Sequence, residues 1–311
     1  MNQKIIHKLF AAGVLVCMAS VSQAQVVDGF RLDSKSTFED IRMTDRQKRG
    51  IVGALIPTQD HPGYMIYRSE NSESFRYGRA KEKNYQKEGK GSEYSVFDFD
   101  PEVVPTNGDK TAVGKLYHAN RRDKEDVLPM PESFKIAQTH ALYHGDDVVY
   151  EFAVELTVFH DESMENYITK NGIEVSRPEN DSHTFFALDA SGTYLYNSAG
   201  VAESYVLHAG SFVVDGVEYL VSYTLDLTGL TEYDAGFCSQ LSKGGITSSC
   251  YGFMTEGTTL KEAKKGIWNS TEVEFHISIT TVPEPEAYAM LLAGLGVIGV
   301  VARRRRNAFY N

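Results

Sequence analysis

The chain has one tryptophan, Trp268, and three cysteines in 311 residues, and it is short of basic charge, with 31 Lys and Arg against 42 Asp and Glu. That shortage argues against nucleic acid as a partner, because phosphate binding needs a concentrated basic surface and counterion release. Catalytic signatures are missing as well. No H-E-x-x-H, G-x-S-x-G, Walker A or dinucleotide fingerprint occurs, so nothing in the sequence points to an enzyme. No apolar run reaches the roughly 20 residues that a membrane-spanning helix usually takes. No internal repeat is visible either.

What is present leans towards β structure. The aromatic fraction comes almost entirely from 18 Tyr and 16 Phe, which with Val and Thr suit half-buried pleated surfaces. The two ends read differently from the middle. Lys4 and Lys8 precede an apolar stretch from Leu9 to Ala19, and Ser22 and Ala24 supply small residues at the -3 and -1 positions of a cleavage site. This order is that of a secretory signal peptide over 1–24, cut by signal peptidase between Ala24 and Gln25. Val16 before Cys17 is not the small residue that lipid attachment requires.

At the other end, Val282, Pro283, Glu284 and Pro285 precede an apolar segment over 287–302, and Arg303, Arg304, Arg305 and Arg306 follow. The prolines cannot continue a strand ladder and so start an extended spacer. Four arginines should stay cytoplasmic, leaving 307–311 as a cytoplasmic tail and everything before Val282 outside. The short apolar segment can serve as a transmembrane helix if its arginines snorkel and the bilayer thins locally. Residues 282–306 resemble a PEP-CTERM sorting signal, a tail also described as the C-terminal motif of ice-binding proteins. The resemblance implies recognition by exosortase, an integral-membrane processing enzyme, in a Gram-negative bacterium. It also implies cleavage near the Pro-Glu-Pro and delivery of the passenger to the cell surface or extracellular matrix. It says nothing of the passenger's fold. Lys4, Lys8, the four arginines and Glu286 leave with the two ends, which takes the formal charge from -11 to about -16 and suits a soluble exported domain.

Removal of Cys17 leaves Cys238 and Cys250, in a compartment where disulfides persist. The Gly244-Gly245 pair between them can turn the chain back, so a short staple is expected, with two free thiols as the alternative. Period-two alternation marks strands over Val148 to Phe159, Tyr219 to Asp226 and Glu272 to Thr280. Asp215-Gly216 and Asn171-Gly172 signal hairpins, and Ser191-Gly192 a third. Thr259 to Gly266 is the best short helix. Residues 135–281 therefore read as an antiparallel β domain of sandwich or jelly-roll type. Residues 25–134 are β-rich, with long charged loops, and either join the same sheets or form a smaller domain.

Candidate chemistry is sparse. His140 and His144, with Asp146 and Asp147, have a spacing that would suit a metal on a helix, but Gly145 favours a loop with surface histidines. His160, Asp161 and Glu162 read as a polar loop. Asp98, Asp100 and Glu102 offer hard oxygens for Ca²⁺ without any known calcium spacing, so a solvated acidic turn competes. No catalytic, cofactor or metal residue is assigned. The leading expectation is an all-β, non-enzymatic structural or interaction passenger of the surface, matrix or biofilm. A polysaccharide-binding module using tyrosines, and a secreted hydrolase, are the alternatives.

Overall fold

The computed structural model describes residues 26–45, 55–56, 67–68, 73–77, 92–120, 129–163, 167–170, 173–176, 181–189, 191–242, 244, 246–255, 269–282, 294–296 and 298. In chain order the strands are β1 (Gly29–Asp45), β2 (Leu55–Ile56), β3 (Tyr67–Arg68), β4 (Ser74–Tyr77), β5 (Ser92–Asp98) and β6 (Val104–Pro105). Next come β7 (Thr111–Asn120), β8 (Pro129–His144), β9 (Asp147–Ser163), β10 (Tyr167–Lys170), β11 (Ile173–Ser176) and β12 (Asp181–Phe186). The last are β13 (Tyr194–Tyr196), β14 (Ala202–Val214), β15 (Val217–Asp226), β16 (Thr231–Tyr233), β17 (Cys250–Thr255) and β18 (Asn269–Thr281), with one short helix, α1 (Ala235–Leu241), before β17.

The strands form two antiparallel sheets. Sheet 1 runs β16-β17-β12-β9-β8-β1-β2, with β6 also on β1, and sheet 2 runs β13-β14-β15-β18-β7-β5-β4-β3. Strands from before and after residue 135 lie side by side in both: β1 pairs with β8, and β7 pairs with β18. The β10–β11 ribbon stands apart, with Lys170 opposite Ile173 across Asn171-Gly172.

Except at Val148, which is exposed beside the β8–β9 turn, the alternating rows read from the sequence point inward. Phe152, Val154, Leu156 and Val158 of β9 are buried, as are Tyr219, Val221, Tyr223 and Leu225 of β15 and Val273, Phe275, Ile277 and Ile279 of β18. Rings meet across the gap between the sheets: Phe30 and Tyr219 at 5.0 Å, Tyr94 and Phe134 at 4.7 Å, and His140 and Tyr223 at 4.4 Å between centroids. These contacts make one continuous core. Removing this much aromatic and branched surface from water, at about 25 cal/mol per Å², is the main force holding the sheets face to face. A second, smaller core joins Phe185, Ile246 and the Cys238–Cys250 disulfide under α1.

Several local expectations need correction. His140 is neither on a surface nor in a loop: β8 continues to His144, and the turn is Gly145-Asp146. His160, Asp161 and Glu162 do not form a loop, because β9 continues to Ser163 and pairs with β12. Ser191-Gly192 does not close a hairpin, since β12 and β13 belong to different sheets. Asp189 organises that crossing, accepting from the Ser191 amide and hydroxyl at 2.9 and 2.8 Å. Asp215-Gly216 does close β14 onto β15, with φ of 51° and 82°, the double positive φ that a type I′ turn demands. The signal peptide, the expected helix over Thr259 to Gly266 and nearly all of the apolar segment lie outside the described residues. No helix among the described residues is long and apolar enough to cross a membrane.

Candidate functional site

The most informative feature of the body is where its ends leave it. β18 lies between β15 and β7 and keeps its ladder to the last residue, with Thr281 opposite Tyr219. One further bond, from the Val282 amide to the Glu218 carbonyl at 2.8 Å, closes the sheet. Pro283, next in the sequence, has no amide hydrogen with which a ladder could be extended. At the same end, the Val27 amide donates to the Tyr219 hydroxyl at 2.8 Å, and Thr106 Oγ1 donates to the Val27 carbonyl at 2.7 Å. Tyr219 therefore ties the N-terminal entry of the body to its C-terminal exit. Two residues before Val27 comes the expected signal-peptidase product end, Gln25.

Residues 281–306 match the PEP-CTERM protein-sorting motif. This sorting motif begins on the last residue of β18, leaving no linker between the folded body and the signal. It marks the chain as an exported, surface-sorted substrate of an exosortase-like enzyme of Gram-negative bacteria. Its Pro283, Glu284, Pro285 and Arg303 to Arg306 lie outside the described residues, as does the Ala24–Gln25 junction. No curated protein matches the chain.

Within the body, titratable side chains gather in two buried islands. In one, His118 Nε2 bonds the Tyr77 hydroxyl at 2.8 Å and its Nδ1 bonds Thr255 Oγ1 at 3.0 Å. The Tyr94 hydroxyl bonds His160 Nδ1 and Thr184 Oγ1, both at 2.7 Å. Burial first, and the neighbouring His160 second, hold His118 well below the usual imidazole range. In the other island, His140 Nδ1 meets Ser34 Oγ at 2.9 Å, and Gln138 Nε2 donates to Ser36 Oγ at 3.0 Å. His140 packs against Phe152 and Tyr223, and burial, helped by His208, pushes its pKa down to about 4. Burial thus favours the neutral form of His118 in one island and of His140 in the other.

The remaining candidates have structural employment. Asp98 does not sit in a solvated turn: it accepts from the Ser36 amide at 2.7 Å and the Ser36 hydroxyl at 2.5 Å, while Asp100 accepts from the Ser34 amide at 2.9 Å. Glu102 is exposed nearby. His144, Asp146 and Asp147 cap the β8–β9 hairpin, exposed and apart from buried His140. Tyr77, Tyr94, Tyr219 and Tyr223 are at most 1% exposed, and among the tyrosines whose side chains are described only Tyr196, at 63%, is mostly in solvent. Tyr194 packs on Tyr205 and Tyr251, joining the edges of both sheets, and burial followed by its tyrosine neighbours raises its phenol to about 12. An open hollow of about 570 Å³ crosses β1, β8 and β9 between Asp33, Lys35, Thr139, Ala141, Glu151 and Ala153.

Proposed function

We propose that this chain is made with a cleaved signal peptide and held in the inner membrane by its tail only in transit. It is then released to the cell surface or extracellular matrix, where its β-sandwich body acts as a non-enzymatic structural or interaction domain. The observation that carries this reading is the sorting motif that starts on the last residue of β18. A signal placed there can be cut away without touching the core. Entry and exit at one end of the body support the same reading, because both processing events then happen on the membrane side and the rest of the body faces outward. The tyrosines favour a structural body over a sugar-binding one, since Tyr77, Tyr94, Tyr205, Tyr219 and Tyr223 are buried in the core and Tyr150, Tyr194, Tyr233 and Tyr251 pack half-buried against it. A net charge near -16 after processing keeps such a body soluble at an anionic envelope.

Intact mass and terminal sequencing of the protein from culture supernatant and envelope fractions test this. The expected product begins at Gln25 and ends near Pro285. A product beginning at Gln25 but retaining Arg303 to Arg306 would mean a permanent anchor and would overturn the processing step.

A further inference from the structure

On β18, residues two apart share a face, so Glu274 and His276 both point away from the core while Phe275 and Ile277 point into it. The neighbouring strand pairs Leu225 with Phe275 and Thr224 with His276, which brings Asp226, the last residue of β15, beside Glu274. One ligating atom from each of Asp226, Glu274 and His276 lies within 4.8 Å of the other two. The Asp226 carboxylate is oriented by the Thr228 amide, which donates to its Oδ1 at 2.8 Å.

Two further observations set this cluster apart from ordinary surface acids. No lysine or arginine among the described residues forms an ion pair with Asp226 or Glu274, and the nearby Lys110 ammonium donates to Ser204 Oγ at 2.7 Å. Two carboxylates this close repel unless a proton or a cation lies between them. His276, with its side chain only 14% exposed, has one ring nitrogen 3.3 Å from Glu274 Oε2, while its enclosed Nδ1 has no hydrogen-bond partner. A cation would displace only that one contact on the ring.

We propose that Asp226, Glu274 and His276 bind one divalent transition-metal ion of the Zn²⁺ type on the outer face of sheet 2. The mixed oxygen and imidazole set suits Zn²⁺, Mn²⁺ or Co²⁺ better than Ca²⁺, which takes six to eight oxygens. Three protein ligands leave positions for water, and the central strands β15 and β18 supply a rigid frame. The ion joins the end of β15 to the middle of β18 and so strengthens the sheet next to the strand that leads into the sorting tail.

Isothermal titration of Zn²⁺ into the full chain in detergent, after stripping with a chelator, tests the site. One equivalent should bind. Asp226→Asn and His276→Ala should each weaken it by at least about tenfold, and His144→Ala, at an exposed hairpin, should leave it unchanged. Should His276→Ala fail to fold, Asp226→Asn at the strand end still reads out the same site. Absence of zinc binding by the wild type, or binding by Asp226→Asn equal to wild type, overturns the proposal.

Discussion

Asp98 shows how one residue can do something its neighbourhood in the sequence does not suggest. The Ser34 and Ser36 amides of β1 point away from β8, towards an edge that β2 and β6 cover only near the ends of the strand. An unpaired edge of this kind invites strand addition from another chain. Asp98 and Asp100, from the end of β5 in the opposite sheet, satisfy these amides and seal the edge. Asp98→Ala leaves the buried Ser36 amide and hydroxyl without acceptors and should lower stability by about 1–3 kcal/mol, whereas Asp98→Asn should lower it less, by keeping one acceptor. Asp100→Ala, at a more exposed amide, should stay within about 0.5 kcal/mol of wild type. Urea midpoints at constant slope measure all three. An Asp98→Ala midpoint equal to wild type would mean that water replaces the carboxylate at the edge. The DFDPE segment could not disclose this role, because its partners are 62 and 66 residues away.

At the scale of elements, legibility followed the chemistry of the inward rows. β15, β18 and β9 from Phe152 to Val158 have apolar inward rows, so alternation alone locates them, while the His160 end of β9 reads as a loop. β1 and β8 are about as long as β9, but their inward rows carry Ser34 and Ser36 in one and Gln138 and His140 in the other. These polar residues hydrogen-bond one another across the β1–β8 pair, and a pattern-based reading sees only a broken stripe. β7 is hidden in the same way by His118 and Asn120. Hairpins are readable where a glycine must take positive φ between paired strands, as at Gly216. They mislead where the same dipeptide carries the chain between sheets, as at Ser191-Gly192. Of the functional features, the sorting tail was fully legible because it is local. The Asp226, Glu274 and His276 cluster was not, because two strands 48 residues apart in the chain meet only in the sheet. The disulfide was legible from compartment and turn, but α1, which it holds, was not. Asp234 caps that helix through the Phe237 amide at 3.0 Å, and Cys238 then binds it to the first residue of β17. Replacing both cysteines with alanine should cost about 3 kcal/mol, on the loop-entropy account. A reductant should shift the wild-type urea midpoint by a similar amount and leave the double variant unmoved. A wild-type midpoint indifferent to reductant would show that the small core of Phe185 and Ile246 holds without its staple.

At the scale of the whole molecule, the buried imidazoles set how the body responds to acid. Burial lowers the pKa of His118, His140 and His208, and His140 reaches about 4 against an ordinary 6.5. The unfolded chain therefore takes up these protons at a higher pH than the folded one. Stability is fully present above about pH 6.5 and falls as pH drops towards 4, where carboxylates begin to titrate as well. Each deeply buried histidine contributes a slope of about 1.4 kcal/mol per pH unit within that window, and half-exposed His208 acts in the same direction more weakly. The neutral ring of His140 is committed to Ser34 and to stacking between the sheets, so protonation works against the core that joins them. Urea unfolding at pH 7.5, 6 and 5 should show a steady loss of stability, and His118→Gln should make that loss shallower by about one histidine's share. A stability unchanged between pH 7.5 and 5 would mean that the islands open to water and accept protons without unfolding. The body would then tolerate acidic surroundings outside the cell that a closed core could not.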